Sequence, residues 1–195
     1  PDIERRLNWA AMGSLFASMC TPTEESIVDG VHKLKPGHIL TASAAKGVRV
    51  REYWDVEFEP DYTRNEEFFV ERLRDLLEES VRLRMIADVP LGAFLSGGVD
   101  SSSVVATMAK LSSRPVKTFS IGFTDPEYNE LAYARIVANQ FQTEHRELVL
   151  EPNVLDVIDD IAWYLDEPFG DSSAIPTYIV SKLAADSVTV VLSGD

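Results

Sequence analysis

Cysteine is almost missing: Cys20 is the sole one in 195 residues, so no disulfide can form within the chain. That suits a reducing compartment. Histidine is scarce too, with His32, His38 and His145 making up the three. No Cys/His cluster has the spacing of a zinc site. Long apolar runs are lacking. The longest, Ile161 to Leu165, is far short of the roughly 18 residues that span a bilayer. Positive charge is in deficit, with 18 Lys and Arg against 32 Asp and Glu, a net charge of −14. This argues against a nucleic-acid surface, which needs a basic stripe to displace counterions, and against docking on anionic lipid. A small anionic ligand remains compatible, because backbone dipoles hold a phosphate on an acidic protein.

What is present is an ordinary globular composition, 45% apolar and 26% charged. It leaves no room for a disordered tail, a collagen-like repeat or a membrane bundle. The length fits one large domain, or one domain plus part of another. The chain starts at Pro1 and runs out in Val188-Thr-Val-Val-Leu-Ser-Gly-Asp195, a strand pattern entering a turn. It reads as a piece of something longer at both ends. Arg5-Arg6 before the apolar stretch Leu7 to Cys20 imitates a secretory signal. Asp2, Glu4, Asn8 and Met19 break that pattern, so the stretch reads as a partly buried helix, with Cys20 a small core hydrophobe.

Periodicity divides the chain near residue 60. Before it, His38 to Thr41 and Val48 to Trp54 alternate as two strands around the turn Ala44 to Gly47. Asp55 to Thr63 is a linker. After it, Asn65 caps a helix running to about Ile86, with Glu66 and Glu67 suiting its dipole. Then come a strand at Leu91 to Leu95, a helix at Ser101 to Leu111, a strand at Val116 to Phe123 and a helix at Asn129 to Phe141. A strand at Glu144 to Leu150, helices at Pro152 to Tyr164 and Ala174 to Asp186, and a strand at Ser187 to Leu192 complete the series. Strands alternating with helices predict an α/β fold around a parallel sheet. Such sheets bind ligands at the carboxyl ends of their strands, which points to the segments after Leu95, Phe123 and Leu192.

The segment after Leu95 is Ser96-Gly-Gly-Val-Asp-Ser-Ser102. Paired glycines let the backbone turn tightly and bring N–H groups near an anion. The helix behind adds its dipole. Ser96, Ser101 and Ser102 offer hydroxyls, and Asp100 a carboxylate for Mg²⁺. Gly98-Val99 stands where a Walker loop needs Lys-Ser/Thr, and there is no G-x-G-x-x-G fingerprint. The plain alternative is a turn capped by Asp100 or Ser101 with no ligand.

Ser96 to Ser102 resembles the SGGxDS pyrophosphate loop of the ATP-pyrophosphatase (PP-loop) superfamily. His32-Lys-Leu-Lys-Pro-Gly-His38, Tyr53-Trp54-Asp55, Thr118-Phe-Ser-Ile-Gly-Phe123, Asp166-Glu-Pro-Phe169, Asp171-Ser-Ser-Ala-Ile-Pro-Thr-Tyr178 and Leu192-Ser-Gly-Asp195 resemble glutamine-hydrolysing asparagine synthetases in order and spacing. The resemblance implies that residues 1–58 are the β-rich C-terminal part of a glutamine amidotransferase domain. Residues 59–195 are then the N-terminal part of an adenine-nucleotide α-hydrolase-like synthetase domain. It implies ATP-dependent amidation of aspartate through β-aspartyl-AMP, with ammonia from glutamine, ATP and Mg²⁺ as cofactors, a cytoplasmic location and a homodimer of the full-length form. It implies that Leu95, Ser96, Gly97, Gly98, Val99, Asp100, Ser101, Ser102, Ile121, Ser193 and Gly194 hold ATP. Asp100 takes the metal, and Asp195 is the catalytic acid-base group. Asp171 and Ser172 face the acceptor, or Asp171 merely caps a helix. Some members carry an arginine where Ser172 or Ser173 stands, which leaves the acceptor open between aspartate and another carboxylate, as in β-lactam-forming or polysaccharide-linked amidotransferases. A non-catalytic nucleotide-binding module is the alternative from another class. His32, His38, His145 and Arg146 read as structural. The glutaminase nucleophile of the family is an amino-terminal cysteine, a part that neither Pro1 nor Cys20 plays. The chain alone is expected to be inactive.

Overall fold

The computed structural model describes residues 3–22, 24–150 and 157–194. Its chain divides into two compact units, the first formed by residues 1–61 and 155–174, the second by 62–154 and 175–195.

In the first unit, α1 (Trp9–Ser18) is capped by Asn8, whose Oδ1 accepts from the Ala10 and Ala11 N–H groups at 3.1 Å. Met19 closes it in the left-handed region, φ 60°. The helix is less buried than its apolar sequence suggests. Ala11 is its buried residue, while Trp9 and Phe16 are 74% and 83% exposed. Cys20 is exposed as well, not a core residue. It follows the left-handed turn at Met19 and so lies past the helical face. The strands β1 (His38–Ser43) and β2 (Gly47–Glu52) form the expected antiparallel hairpin, pairing Leu40 with Val50 and Ala42 with Val48. The short helix α5 (Ile158–Tyr164) belongs to this unit too. It covers the end of the helix expected over Pro152 to Tyr164, and residues 152–156 lie outside the described ones.

The second unit is an α/β fold. Its parallel sheet has the order β5-β4-β3-β6, with β3 at Leu91–Phe94, β4 at Lys117–Phe123, β5 at Glu144–Leu150 and β6 at Val190–Leu192. The helix α2 (Glu66–Arg84) precedes β3; Asn65 caps it, accepting from the Phe68 N–H at 3.1 Å. α3 (Val99–Leu111) and α4 (Leu131–Gln140) make the crossovers, and α6 (Ala174–Ala185) precedes β6. β6 is shorter than its sequence pattern. The Ser187 and Val188 N–H groups return to the Ala184 carbonyl at 2.9 Å and close α6 first.

Alternation along the strands sends side chains to two cores. Ala93 and Leu95 pack with Val81 of α2, with Val104, Val105 and Met108 of α3, and with Ala134 and Ala138 of α4. Phe119 packs with Val180, Ala184 and Val188, joined by Phe94 and Ile121. A parallel sheet needs both faces covered in this way, and each large side chain buried there contributes about 1.5–3 kcal/mol.

One polar knot ties β4 to β5. The fully buried Thr118 hydroxyl lies 2.8 Å from the Thr143 hydroxyl and 2.9 Å from His145 Nδ1. His145 Nε2 is buried without a hydrogen-bond partner. Burial lowers the His145 pKa, against the pull of Glu147, whose carboxylate Arg135 already engages at 2.5 and 2.9 Å. A histidine kept neutral in the fold stabilises it above the unfolded value of about 6.5. As pH falls below that value the unfolded chain takes up a proton first, so stability drops. Urea midpoints between pH 7.5 and 5.5 should therefore fall more steeply in the wild type than in His145→Gln; parallel curves would show that His145 is not responsible.

Candidate functional site

The site begins where β3 ends. The Leu95 N–H donates to the Phe119 carbonyl at 2.9 Å, and the Ser120 hydroxyl donates to the Leu95 carbonyl. Leu95 is therefore fixed on both backbone groups, with its side chain in the core. The chain then turns through Ser96-Gly97-Gly98, with Gly97 at φ +87°. A Cβ there would lie 2.6 Å from the Ala134 nitrogen and 2.6 Å from Tyr133 Cβ. The turn is thus pressed against the first turns of α4, and only glycine satisfies both the dihedral angle and the space.

The loop is braced from inside. Ser101 Oγ accepts from the Ser96 N–H at 3.2 Å, lies 2.8 Å from Ser96 Oγ and donates to the Gly98 carbonyl at 3.3 Å. Ser96 Oγ also accepts from the Gly98 N–H at 3.2 Å. Two of the hydroxyls expected to meet a ligand therefore bond each other and set the shape of the turn. The third, Ser102 Oγ, is buried with no hydrogen-bond partner. Gly98 occupies the N-cap of α3 and gives it no side-chain cap. The first-turn N–H groups, which a helix leaves without carbonyl partners, are thus not taken by a capping side chain. Neither Asp100 nor Ser101 is the N-cap residue; α3 starts two residues earlier than its apolar pattern suggests.

A cavity of about 350 Å³ opens over this turn, at the carboxyl ends of β3, β4 and β6. Leu95, Ser96, Gly98, Asp100, Ser101, Ile121, Ser193 and Gly194 line it. Phe119, Tyr128, Glu130, Pro176 and Val180 line it too. Tyr128 and Glu130 follow β4, a place the strand-end rule indicates; Pro176 and Val180 arrive on α6, which only the packing reveals. Gly194 touches the start of α3, where a Cβ would meet the Ser101 nitrogen and lie 2.6 Å from the Asp100 carbonyl carbon. Gly97, Val99 and Ser102 are not in the lining, and Val99 is 81% exposed.

The charged groups of the described lining are two carboxylates, Asp100 and Glu130, with neither lysine nor arginine. A polyphosphate entering here meets backbone N–H groups and hydroxyls and has to bring its own cation. The described residues hold no cluster of three or more metal-ligating side chains. Mg²⁺ is commonly held by one or two carboxylates together with substrate phosphates, and Asp100 and Glu130 are the carboxylates of the described lining.

The Asn_synthase model, described as asparagine synthase, matches residues 72–195. The chain belongs to the asparagine synthase family. It is 39% identical over 196 residues to a Methanocaldococcus jannaschii protein provisionally named glutamine-hydrolysing asparagine synthetase 2, covering 98% of this chain and 38% of that one. It is 37% identical over 195 residues to glutamine-hydrolysing asparagine synthetase 1 of Bacillus subtilis, covering 100% of this chain and 30% of that one. The chain thus spans about a third of the length of these relatives. Among solved structures, an ammonia-dependent NAD synthetase from Campylobacter jejuni overlaps 68% of this chain and 57% of its own, at TM-score 0.42 and 14% identity. The α/β reading rests on the strand order itself.

In this asparagine synthase chain, Asp171 and Ser172 lie in the first unit, both exposed. Asp171 Oδ1 accepts from the Ser173 N–H at 2.8 Å, and bonds from the Ser173 backbone and hydroxyl hold its pKa below the ordinary value. Its carboxylate thereby shapes the turn into α6. Asp195 lies outside the described residues. His32 is exposed, and His38 Nδ1 lies 2.9 Å from the Pro36 carbonyl. No helix among the described residues is long and apolar enough to cross a membrane.

Proposed function

We propose that the protein containing this chain is an ATP-dependent ligase that amidates aspartate. The observation that carries this is the cavity over the Ser96 to Ser102 turn, at the strand ends of an asparagine synthase chain. Phosphates sit on the turn, with the first-turn N–H groups of α3 as donors. Apolar walls from Phe119, Ile121 and Val180 suit a planar base. Asp100 would hold Mg²⁺, which would neutralise charge on the phosphates. An oxygen of aspartate's side-chain carboxylate attacks the α-phosphorus, the bond to pyrophosphate breaks, and β-aspartyl-AMP forms. Ammonia then attacks the acyl carbon and AMP leaves. Fixed N–H donors lower both barriers by stabilising charge that develops on phosphate oxygens.

Residues 1–58 are proposed as the end of a glutamine amidotransferase domain that supplies the ammonia, and 59–195 as the start of the synthetase domain. Asp195 is the proposed acid-base group beside the adenylate. A cytoplasmic homodimer goes with this reading. A second reading keeps the chemistry and changes the acceptor: serines at 172 and 173 leave that segment without a guanidinium for the substrate's carboxylate. The intact protein, given Mg·ATP, ammonium and a panel of carboxylates, should release AMP and pyrophosphate with aspartate. A faster reaction with another carboxylate selects the second reading. ADP and phosphate as products, or no Mg·ATP binding by calorimetry, would sink both; binding without turnover would identify a non-catalytic module.

A further inference from the structure

The head of α4 brings a carboxylate to the cavity and gives it little to do in the fold. Asn129 does the fastening there. Its Nδ2 donates to the Phe123 carbonyl at 2.8 Å, and its Oδ1 accepts from the Leu131 N–H at 3.1 Å. Gly122 leaves no room for a Cβ beside the Leu131 side chain. The start of α4 is thus pinned to the end of β4. Glu130 occupies the N-cap position, but its side chain makes no capping hydrogen bond. Its backbone carbonyl serves the helix instead, accepting from the Tyr133 and Ala134 N–H groups at 3.0 and 3.2 Å. Among the described residues the Glu130 carboxylate has neither a hydrogen bond nor an ion pair. It is exposed to solvent and lines the cavity. Helix geometry places it further. Residues three and four apart share a helix face, and Tyr133 and Ala134 are the residues against which Gly97 is pressed. Glu130 therefore lies on the face of α4 that abuts the Ser96 to Ser102 turn.

What a carboxylate can meet there is limited. An ionised carboxylate accepts hydrogen bonds and donates none. Phosphate oxygens are acceptors of the same charge, and the described lining has no lysine or arginine to offset the repulsion. The donors of a nucleoside triphosphate lie in its other half, on the ribose hydroxyls and the amine of the base. The ribose is the part joined to the phosphates. With the phosphates on the turn, a group on the turn-facing side of α4 reaches the ribose before the base, whose planar ring suits the apolar walls of Phe119, Ile121 and Val180. We propose that Glu130 is a specificity-determining residue that accepts hydrogen bonds from the ribose of the nucleotide, its two oxygens matching the adjacent 2′ and 3′ hydroxyls. This rests on the reading above that the cavity takes Mg·ATP. The charge of Glu130 also suits the dipole of α4, but that role is blind to which nucleotide is bound.

Calorimetry on the intact protein tests this with Mg·ATP, its 2′-deoxy and 3′-deoxy forms, Mg·ITP and Mg·pyrophosphate as probes. The wild type should bind each deoxy form about tenfold more weakly than Mg·ATP, the scale of a hydrogen bond to a charged group. Glu130→Ala should lower Mg·ATP affinity by about tenfold and bind ATP and its deoxy forms alike. Mg·pyrophosphate has no ribose, so the variant should bind it as tightly as the wild type does, or more tightly, because a like charge is gone. Equal wild-type affinities for ATP and both deoxy forms overturn the proposal, and that comparison needs no variant. A Mg·pyrophosphate affinity that falls as far as that of Mg·ATP in Glu130→Ala overturns it too, since Glu130 then serves the metal or the turn. So does a variant that stops distinguishing ATP from ITP while still distinguishing the deoxy forms, which moves the contact to the amine of the base. A wild-type protein that binds no Mg·ATP overturns the functional reading instead, and with it the ligand assigned here.

Discussion

Gly97→Ala will destabilise the protein by about 2–4 kcal/mol and lower Mg·ATP affinity at least about a hundredfold. Two penalties combine. Alanine at φ +87° carries the cost of a left-handed conformation. Its Cβ would also stand 2.6 Å from the Ala134 nitrogen, which belongs to helical backbone and cannot rotate away. Relief requires the turn to lift off α4, and the N–H groups proposed to hold the phosphates move with it. Gly98 provides the control. It has φ −68°, and a Cβ there would meet only Ser96 Oγ, at 3.3 Å. Gly98→Ala should therefore cost less than about 1 kcal/mol of stability. Urea unfolding of the two variants decides the matter; equal losses would mean that the left-handed turn is not what the site depends on.

The second large effect is on chemistry and leaves the fold in place. Asp100→Ala should slow aspartate-dependent ATP–pyrophosphate exchange by about a hundredfold or more, the scale seen when one group stabilising a transition state is removed. Asp100 is exposed and in the first turn of α3, so its loss takes only about 0.3–1 kcal/mol from the helix. Thermal unfolding should barely move while exchange collapses. Asp100→Asn, which keeps the shape and removes the charge, should be nearly as slow. Exchange near the wild-type rate in either variant would remove Asp100 from metal binding.

Local features were open to reading in the sequence because they depend on neighbours in the chain. Asn65 caps α2, Asn129 Oδ1 accepts from the Leu131 N–H at the head of α4, and the hairpin turns where its glycine is. The alternation of strands and helices was enough for an α/β fold with parallel strands, and the Ser96 to Ser102 string for the position of the turn between β3 and α3. The inner wiring of that turn was not legible. Serines at 96 and 101 are equally ready to meet a ligand or each other, and only the backbone angle at Gly97 brings their oxygens to 2.8 Å. Cys20 shows the same limit from the apolar side. Its composition suits a core, but the left-handed turn at Met19 sends it outside.

By itself, then, the sequence determined what periodicity and chain-local chemistry can determine: the order of elements, the Asn65 cap of α2, the glycine turn, and the excess of negative charge. Only the tertiary structure decided which distant residues share a surface. Val180 reaches the same cavity as Ser96 because α6 packs on the Phe119 face of the sheet. Glu167 finds Thr21 and Lys33 across 146 and 134 residues of chain because segment 155–174 folds back into the first unit. Such pairings come from burying side chains against one another in three dimensions, and no spacing along the chain encodes them.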